Sequence, residues 1–273
     1  VTKNHGWSIY VRHSPIRPRC SVHRLRDDRG VGVAVGSITA GSGEIILVGA
    51  GGEEQPGGIG TAVNQYDTVY VGDGGEATVT FVDDTILTLS GGSALTIDEL
   101  VYDPNNQASV GLFTLAGGAL GLVSGDILKS GDMTVTTPVS TIGIRGTTVL
   151  IDSGVRVNRV GGRFVVTARS QTGEVVTLGI SRDGTVGIVT VANRQTGQST
   201  TLRQFGETVT TQTVNGGATQ LKSTLLPEEI KTKFGVLLLL LQGATGKDLA
   251  DPANLQDALQ DLLDFIELEA SPD

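Results

Sequence analysis

Glu76-Ala-Thr-Val-Thr-Phe-Val-Asp-Asp-Thr-Ile-Leu-Thr-Leu-Ser-Gly-Gly-Ser-Ala-Leu-Thr-Ile-Asp98 is the stretch whose reading decides the fold. Ala77, Val79 and Phe81 alternate with Glu76, Thr78 and Thr80, so one face is apolar and the other is solvated, which is the period of a strand. Asp83-Asp84 breaks the run, Leu87 and Leu89 resume it, Gly91-Gly92-Ser93 breaks it again, and Leu95 and Ile97 continue it. Three strands are expected in succession.

Working outward, the same grammar continues in both directions. Upstream, Val33 to Thr39 and Glu44 to Gly49 read as strands joined by a hairpin at Ala40-Gly41-Ser42-Gly43, followed by a glycine-rich loop to Gly60. Downstream, short β-prone runs start near Gly111, Gly118, Asp126, Met133, Thr148, Val155, Phe164, Val175, Val186, Ser199 and Glu207. Turn pairs such as Gly161-Gly162, Asp183-Gly184 and Gly216-Gly217 punctuate them. Turns at about every 8 to 12 residues predict a barrel, sandwich or solenoid. The absence of a strict repeat length leaves an irregular β-solenoid among these and excludes a regular one.

The period changes near the end. Pro227-Glu228-Glu229 reads as a helix start, with proline in the first turn and acids at the positive end of the dipole, and Gly243 as its stop. Asp251-Pro252 opens a second helix with Leu255, Leu259, Leu262, Leu263 and Ile266 on one stripe. Such a hairpin is expected to cap an open β end, with pairing to another copy as the other option.

Composition limits the chemistry. Aromatics are 4% of the chain and glycines number 39, so the core must be built from Val, Leu, Ile and Ala in short strands. Residues 1–29 hold one Lys and six Arg against two Asp, a charge of +5. That leaves −14 for the rest of a chain whose total is −9. The acidic body is unsuited to nucleic acid or anionic membrane. All three His, the single Cys and the single Trp fall in the first 23 residues, so the body has no His or Cys for a zinc site, a triad or a Cys-His nucleophile. No run approaches the about 18 apolar residues of a membrane span, and no secretory pattern is visible.

Two motifs invite over-reading. Ile45 to Gly52 starts like a dinucleotide fingerprint, but Glu54 stands where the third glycine belongs and Pro56 blocks the helix that must follow. Asp98, Glu99 and Asp103 supply oxygens without calcium-loop spacing, and the plain reading is a solvated turn at Asp103-Pro-Asn-Asn. The paired acids Asp83-Asp84 and Asp98-Glu99 point to opposite faces if they lie in strands, which makes a carboxylate enzyme unattractive. No catalytic residue, metal or cofactor is expected. Arg145 is the residue of most interest: its planar fork suits a carboxylate, either an internal one from Asp98 or Glu99 or one on a ligand.

Four blocks together resemble the FecR-type domain, named for the ferric-citrate signal transducer. They are Glu76 to Thr85, Leu95 to Pro104, Gly118 to Gly125 and the most specific one, Thr137-Pro-Val-Ser-Thr-Ile-Gly-Ile-Arg-Gly-Thr147. The resemblance runs over roughly residues 31 to 215. It implies an all-β, β-solenoid-like or β-helix-like domain in the periplasm or at the cell surface. It further implies a sensory or regulatory role exercised through an envelope or receptor protein, without the membrane span or anti-sigma segment of the regulators. The expected division is a basic disordered tail at 1–30, the FecR-type domain at 31–216 and the helical hairpin at 217–273. The expected contact residues are Thr137, Pro138, Arg145, Gly146 and Thr147 at the motif, with Asp98, Glu99, Tyr102 and Asp103 beside them. A structural surface protein that self-assembles through its β edges is the alternative.

Overall fold

The strands expected from alternation do form, but the turns between them divide the strands between two sheets. The computed structural model describes residues 34–102, 109–125, 127, 132–168, 173–179, 186–214 and 217–244. The expected tail at 1–30, Asp103 with its Asn-rich loop, nearly all of the run at 126–128 and the second helix from Asp251 lie outside the described residues.

Sheet I contains β1 (Ala34–Ser42), β4 (Ala62–Asn64), β6 (Glu76–Phe81), β7 (Ile86–Ser90), β10 (Ala119–Val123), β13 (Thr148–Asp152), β16 (Glu174–Leu178), β19 (Glu207–Val214) and β20 (Gly217–Thr224). Sheet II contains β2 (Ile45–Val48), β3 (Glu54–Pro56), β5 (Thr68–Val71), β8 (Ser93–Val101), β9 (Val110–Gly117), β11 (Asp132–Thr136), β12 (Ser140–Arg145), β17 (Ile188–Asn193) and β18 (Ser199–Leu202). In space sheet I runs β4-β1-β6-β7-β10-β13-β16-β19-β20, and sheet II runs β3-β2-β5-β8-β9-β11-β12-β17-β18. A separate ribbon of β14 (Val155–Val160) and β15 (Arg163–Ala168) completes the β structure.

The chain is mostly β, as its composition and alternation imply. Coils of a β-helix stack in parallel, whereas every pairing among the described residues is antiparallel except that of β9 with β11. The expected hairpin at Ala40 to Gly43 is instead a crossover: β1 pairs with β4 and β6, while β2 pairs with β3 and β5. Gly43, at φ +75°, turns the corner between the two sheets. Alternation cannot distinguish these cases, because a strand entering either sheet buries one face in the same way.

The core lies between the sheets. Val79, Leu87, Leu89, Leu120, Leu122, Val149 and Ile151 from sheet I meet Leu47, Val69, Leu95, Phe113, Leu115, Val135 and Ile142 from sheet II. Phe81 and Phe113 touch across the gap with ring centroids 5.5 Å apart. The Asp83 carboxylate, fully buried, fixes the β6–β7 turn by accepting from the Thr85 hydroxyl at 2.6 Å and the Thr85 amide at 3.2 Å.

The outer face of sheet I is covered by α1 (Pro227–Ala244). Glu229 reaches back to the Leu226 amide at 2.8 Å, which is half of a capping box and fixes the start. Ile230, Phe234, Leu237 and Leu241 then pack on Ile86, Ala119, Val123, Leu150 and Val175. The helix therefore lies on a sheet face and not over an edge as expected, because those outward residues offer the apolar area that its stripe requires.

The last strand, β20, has no apolar alternation to announce it in the sequence; its eight pairings with β19 hold it in place. Glu207 and Lys222 reinforce that ladder at 2.6 Å. Burial alone would raise the Glu207 carboxyl. The Lys222 ammonium and the amides of Arg203 and Gln204 outweigh it and hold the group below its ordinary value. The stability from this pairing is present above the ordinary carboxylate range and is lost as pH falls through the depressed value. Lys222→Met is expected to lower stability by up to about 1 kcal/mol at neutral pH, since the pair is half exposed. The loss should fade on acidification, as thermal melts across pH 2 to 7 would show.

Candidate functional site

The motif Thr137 to Thr147 is a turn followed by β12, and its two ends do different things. Thr137 is buried, and its Oγ1 accepts from the Ser140 amide at 2.9 Å and the Val139 amide at 3.3 Å. Its carbonyl accepts from the Arg194 guanidinium at 3.0 Å. Pro138 is exposed at the tip of this turn. At the other end, Arg145 is exposed, Gly146 takes φ +58°, and Thr147 is buried with its hydroxyl donating to the Gly179 carbonyl at 2.9 Å. Five residues of extended chain separate Ser140 from Arg145, about 17 Å. The expected contact residues of the motif therefore do not converge.

Asp98, Glu99 and Tyr102 lie toward the Arg145 end of sheet II. Leu100 aligns with Gly111, Gly111 with Met133, and Met133 with Ile144. Two strands, β9 and β11, thus lie between β8 and β12, so about 14 Å separates the two backbones. The expected pairing of Arg145 with Asp98 is not the partnership observed for that acid, which accepts from the Thr114 hydroxyl at 2.7 Å. Glu99 is half-buried at a bulge, and Tyr102 packs its ring on the core. Among the described residues no three His, Cys, Asp or Glu side chains cluster as a metal site would require.

The unusual chemistry is at the Thr137 end, on a residue that the motifs do not single out. Glu174 begins β16 with the parity of Val176 and Leu178, which carries its side chain inward between the sheets. It is 1% exposed, and neither carboxyl oxygen makes a hydrogen bond. Ser140 Oγ, Asn193 Nδ2 and Thr211 Oγ1 are likewise buried without partners. Glu174 pairs with Thr211 in sheet I and Ser140 pairs with Asn193 in sheet II, so two rungs form one polar layer inside an otherwise apolar sandwich. Gln220, paired with Thr211, crosses to sheet II and donates to the Val191 carbonyl at 3.3 Å.

Burial pushes the Glu174 carboxyl up from its ordinary value. The Ser140 and Thr137 hydroxyls lie close enough to oppose this, yet neither meets it in a well-directed hydrogen bond, and the Asp152 charge adds to the rise. Parity is the signal that marks this residue: in Glu174-Val-Val-Thr-Leu178 the acid shares a face with two core residues.

A second feature lies outside sheet II. Gly161 and Gly162, at φ +58° and +75°, make the mirror-image turn that suits a tight hairpin, and β14 and β15 project from it. Val157 packs with Ile46, Tyr70 and Ala94, the Phe164 ring lies 4.9 Å from that of Tyr70, and Arg156 and Arg159 pair with Asp73 and Glu54. The ribbon is thereby fixed through β14 and through Phe164 of β15. Every residue of β15 is nonetheless exposed, including Phe164 at 38%, Val165 at 42% and Val166 at 54%.

A family model described as FecR protein matches residues 67–177, from the approach to β5 into β16. Among solved structures, a candidate anti-sigma factor from Parabacteroides distasonis ATCC 8503 is similar at 17% identity and a TM-score of 0.43, over 62% of this chain and 63% of that one. The chain thus spans just under two thirds of that relative's length. A cell surface anchoring domain is similar at 32% identity and a TM-score of 0.23, over 23% of this chain and 83% of that one. No curated protein matches the chain. The two sheets, the ribbon and the motif strand β12 all draw on the matched segment, and it is residues 67–177 of this chain that are similar to the FecR family.

Proposed function

We propose that this chain is a non-enzymatic, extracytoplasmic FecR-type binding module that relays an envelope signal through protein contact, and that β15 is its contact strand. The observation that carries the reading is the ribbon: an apolar edge strand with Phe164, Val165 and Val166 about half exposed, held from behind and contained within the matched segment. Folded proteins protect open edges with charge, proline or a cover, and β15 has only Arg163 at its start. Its closing pair, Val160 with Arg163, turns the backbone groups of Phe164, Val166 and Ala168 outward, toward an added strand. Arg156 and Arg159 are engaged with Asp73 and Glu54, which leaves Arg163 at the start of β15 to face a partner, so the fitting partner is an extended apolar segment with an acid opposite Arg163. A domain spanning 31–216, an irregular winding of its alternating strands and a C-terminal helical hairpin at 217–273 belong to the same proposal.

Capture from envelope extract, with light scattering on the same sample, tests the reading. A monomer that retains one protein, with retention reduced at least about tenfold by Val165→Lys at unchanged thermal stability, supports it. A polydisperse assembly that retains nothing overturns it and leaves the structural alternative, self-assembly through β edges.

A further inference from the structure

We propose that the polar layer around Glu174 is a proton-operated catch: with the carboxyl protonated the two sheets close over it and hold the Thr137 turn, and ionisation as pH rises releases that end of the sandwich. This stands apart from the docking reading of β15. Four side chains from β12, β16, β17 and β19 contribute buried polar atoms without partners to one place, where the next inward residues of the same strands, Ile142, Val176, Val191 and Val209, are aliphatic. Among the described residues no cation meets an ionised carboxylate there. From β12 and its turn it faces the hydroxyls of Ser140 and Thr137. From β17 come Asn193 and Arg194, whose guanidinium is engaged with the Thr137 carbonyl. From β19 it faces Thr211, Glu207 being at the start of that strand beside Lys222. From β13 it faces Asp152, a like charge. A neutral carboxyl fits this environment far better than a charged one, because an unpaired buried charge is among the costliest groups in a fold.

The sign follows from linkage. The folded-state value lies above the ordinary 4.5, so the contribution to stability is complete below 4.5 and is lost as pH rises through the raised value. The motif couples to it directly, since Thr137 and Ser140 open the FecR block and form the wall that Glu174 faces. Asn193 extends the coupling to β17, where its Oδ1 accepts from the Gln195 and Thr196 amides at 2.9 Å.

Hydrogen exchange on the full chain, read by mass spectrometry from pH 4.5 to 8 and corrected for intrinsic exchange, tests this. In the wild type the opening of residues 132–145 and 174–178 should increase by about tenfold per pH unit until the raised value is passed, while β5 to β7 stay constant. In Glu174→Gln and Glu174→Met the same peptides should show no such slope, and Met serves if Gln fails to fold. Equal slopes in the wild type and a folded variant, or a flat wild-type profile, overturn the proposal.

Discussion

Phe113→Ala is expected to cost about 3 to 5 kcal/mol, the range for removing a fully buried aromatic from a close-packed interior. Phe113 is 1% exposed on β9 and reaches across to Phe81, so its loss opens a cavity where the two sheets meet. The neighbours on its own sheet, Ile97 and Val135, are held in register by their ladders and cannot collapse into that space. Typical domain stabilities are only about 5 to 15 kcal/mol, so the variant should denature at a much lower urea concentration with an unchanged slope. A loss of stability below about 1 kcal/mol would mean that the sheets are not in contact there.

Gly118→Val is expected to be comparably damaging for a different reason. Gly118 takes φ +94° at the corner where the chain leaves β9 in sheet II for β10 in sheet I, and an added Cβ would lie 2.0 Å from Ser93 Oγ and 2.4 Å from Ser93 Cα. In an isolated turn the side chain of Ser93 could rotate away, but here its hydroxyl bonds the amide and carbonyl of Ala119, both at 3.1 Å, and its backbone belongs to β8. The corner is also held from outside, because the Ser153 amide and hydroxyl both donate to the Gly118 carbonyl. Positive φ in a β-branched residue adds to the overlap, and together they should remove about 3 kcal/mol or more. Gly118→Ala should fall between wild type and Val in chemical denaturation. A neutral Val variant would contradict the corner geometry.

These two sites show what the sequence makes legible. The strand at Phe113 and the turn at Gly118 follow from alternation and from glycine, and the Asp83-Asp84 turn and the Pro227 helix start are readable on the same basis. The assignment of each strand to a sheet is not. A hairpin and a crossover use the same turn residues, so Ala40 to Gly43 carries no mark of the choice; it is set by which distant strand, β6 or β5, completes the ladder. The candidate site is legible only to a degree. The motif points to Thr137 and Arg145 as one place, because sequence proximity conceals the length of an extended strand. Glu174 escapes because it is polar, and attention to polar residues favours loops, whereas its parity with Val176 and Leu178 places it inside. The strand at β15 is readable, but its exposure depends on what fails to cover it, which no local pattern records.

The order of the strands governs how the molecule bears load. Apart from short excursions near β1 and β3, each sheet is assembled in chain order, with early strands at one end and β18 to β20 at the other. Nine strands at about 4.8 Å spacing set those ends about 38 Å apart, along an axis perpendicular to the strands. Tension passing from β1 to β20 therefore pulls across the ladders. Hydrogen bonds loaded in that direction separate singly, rung after rung, as a zipper opens, and do not resist together as they would in shear. A chain of this design yields gradually from its ends under force, and the strands in its middle, β10 of sheet I and β9 of sheet II, are the last to separate.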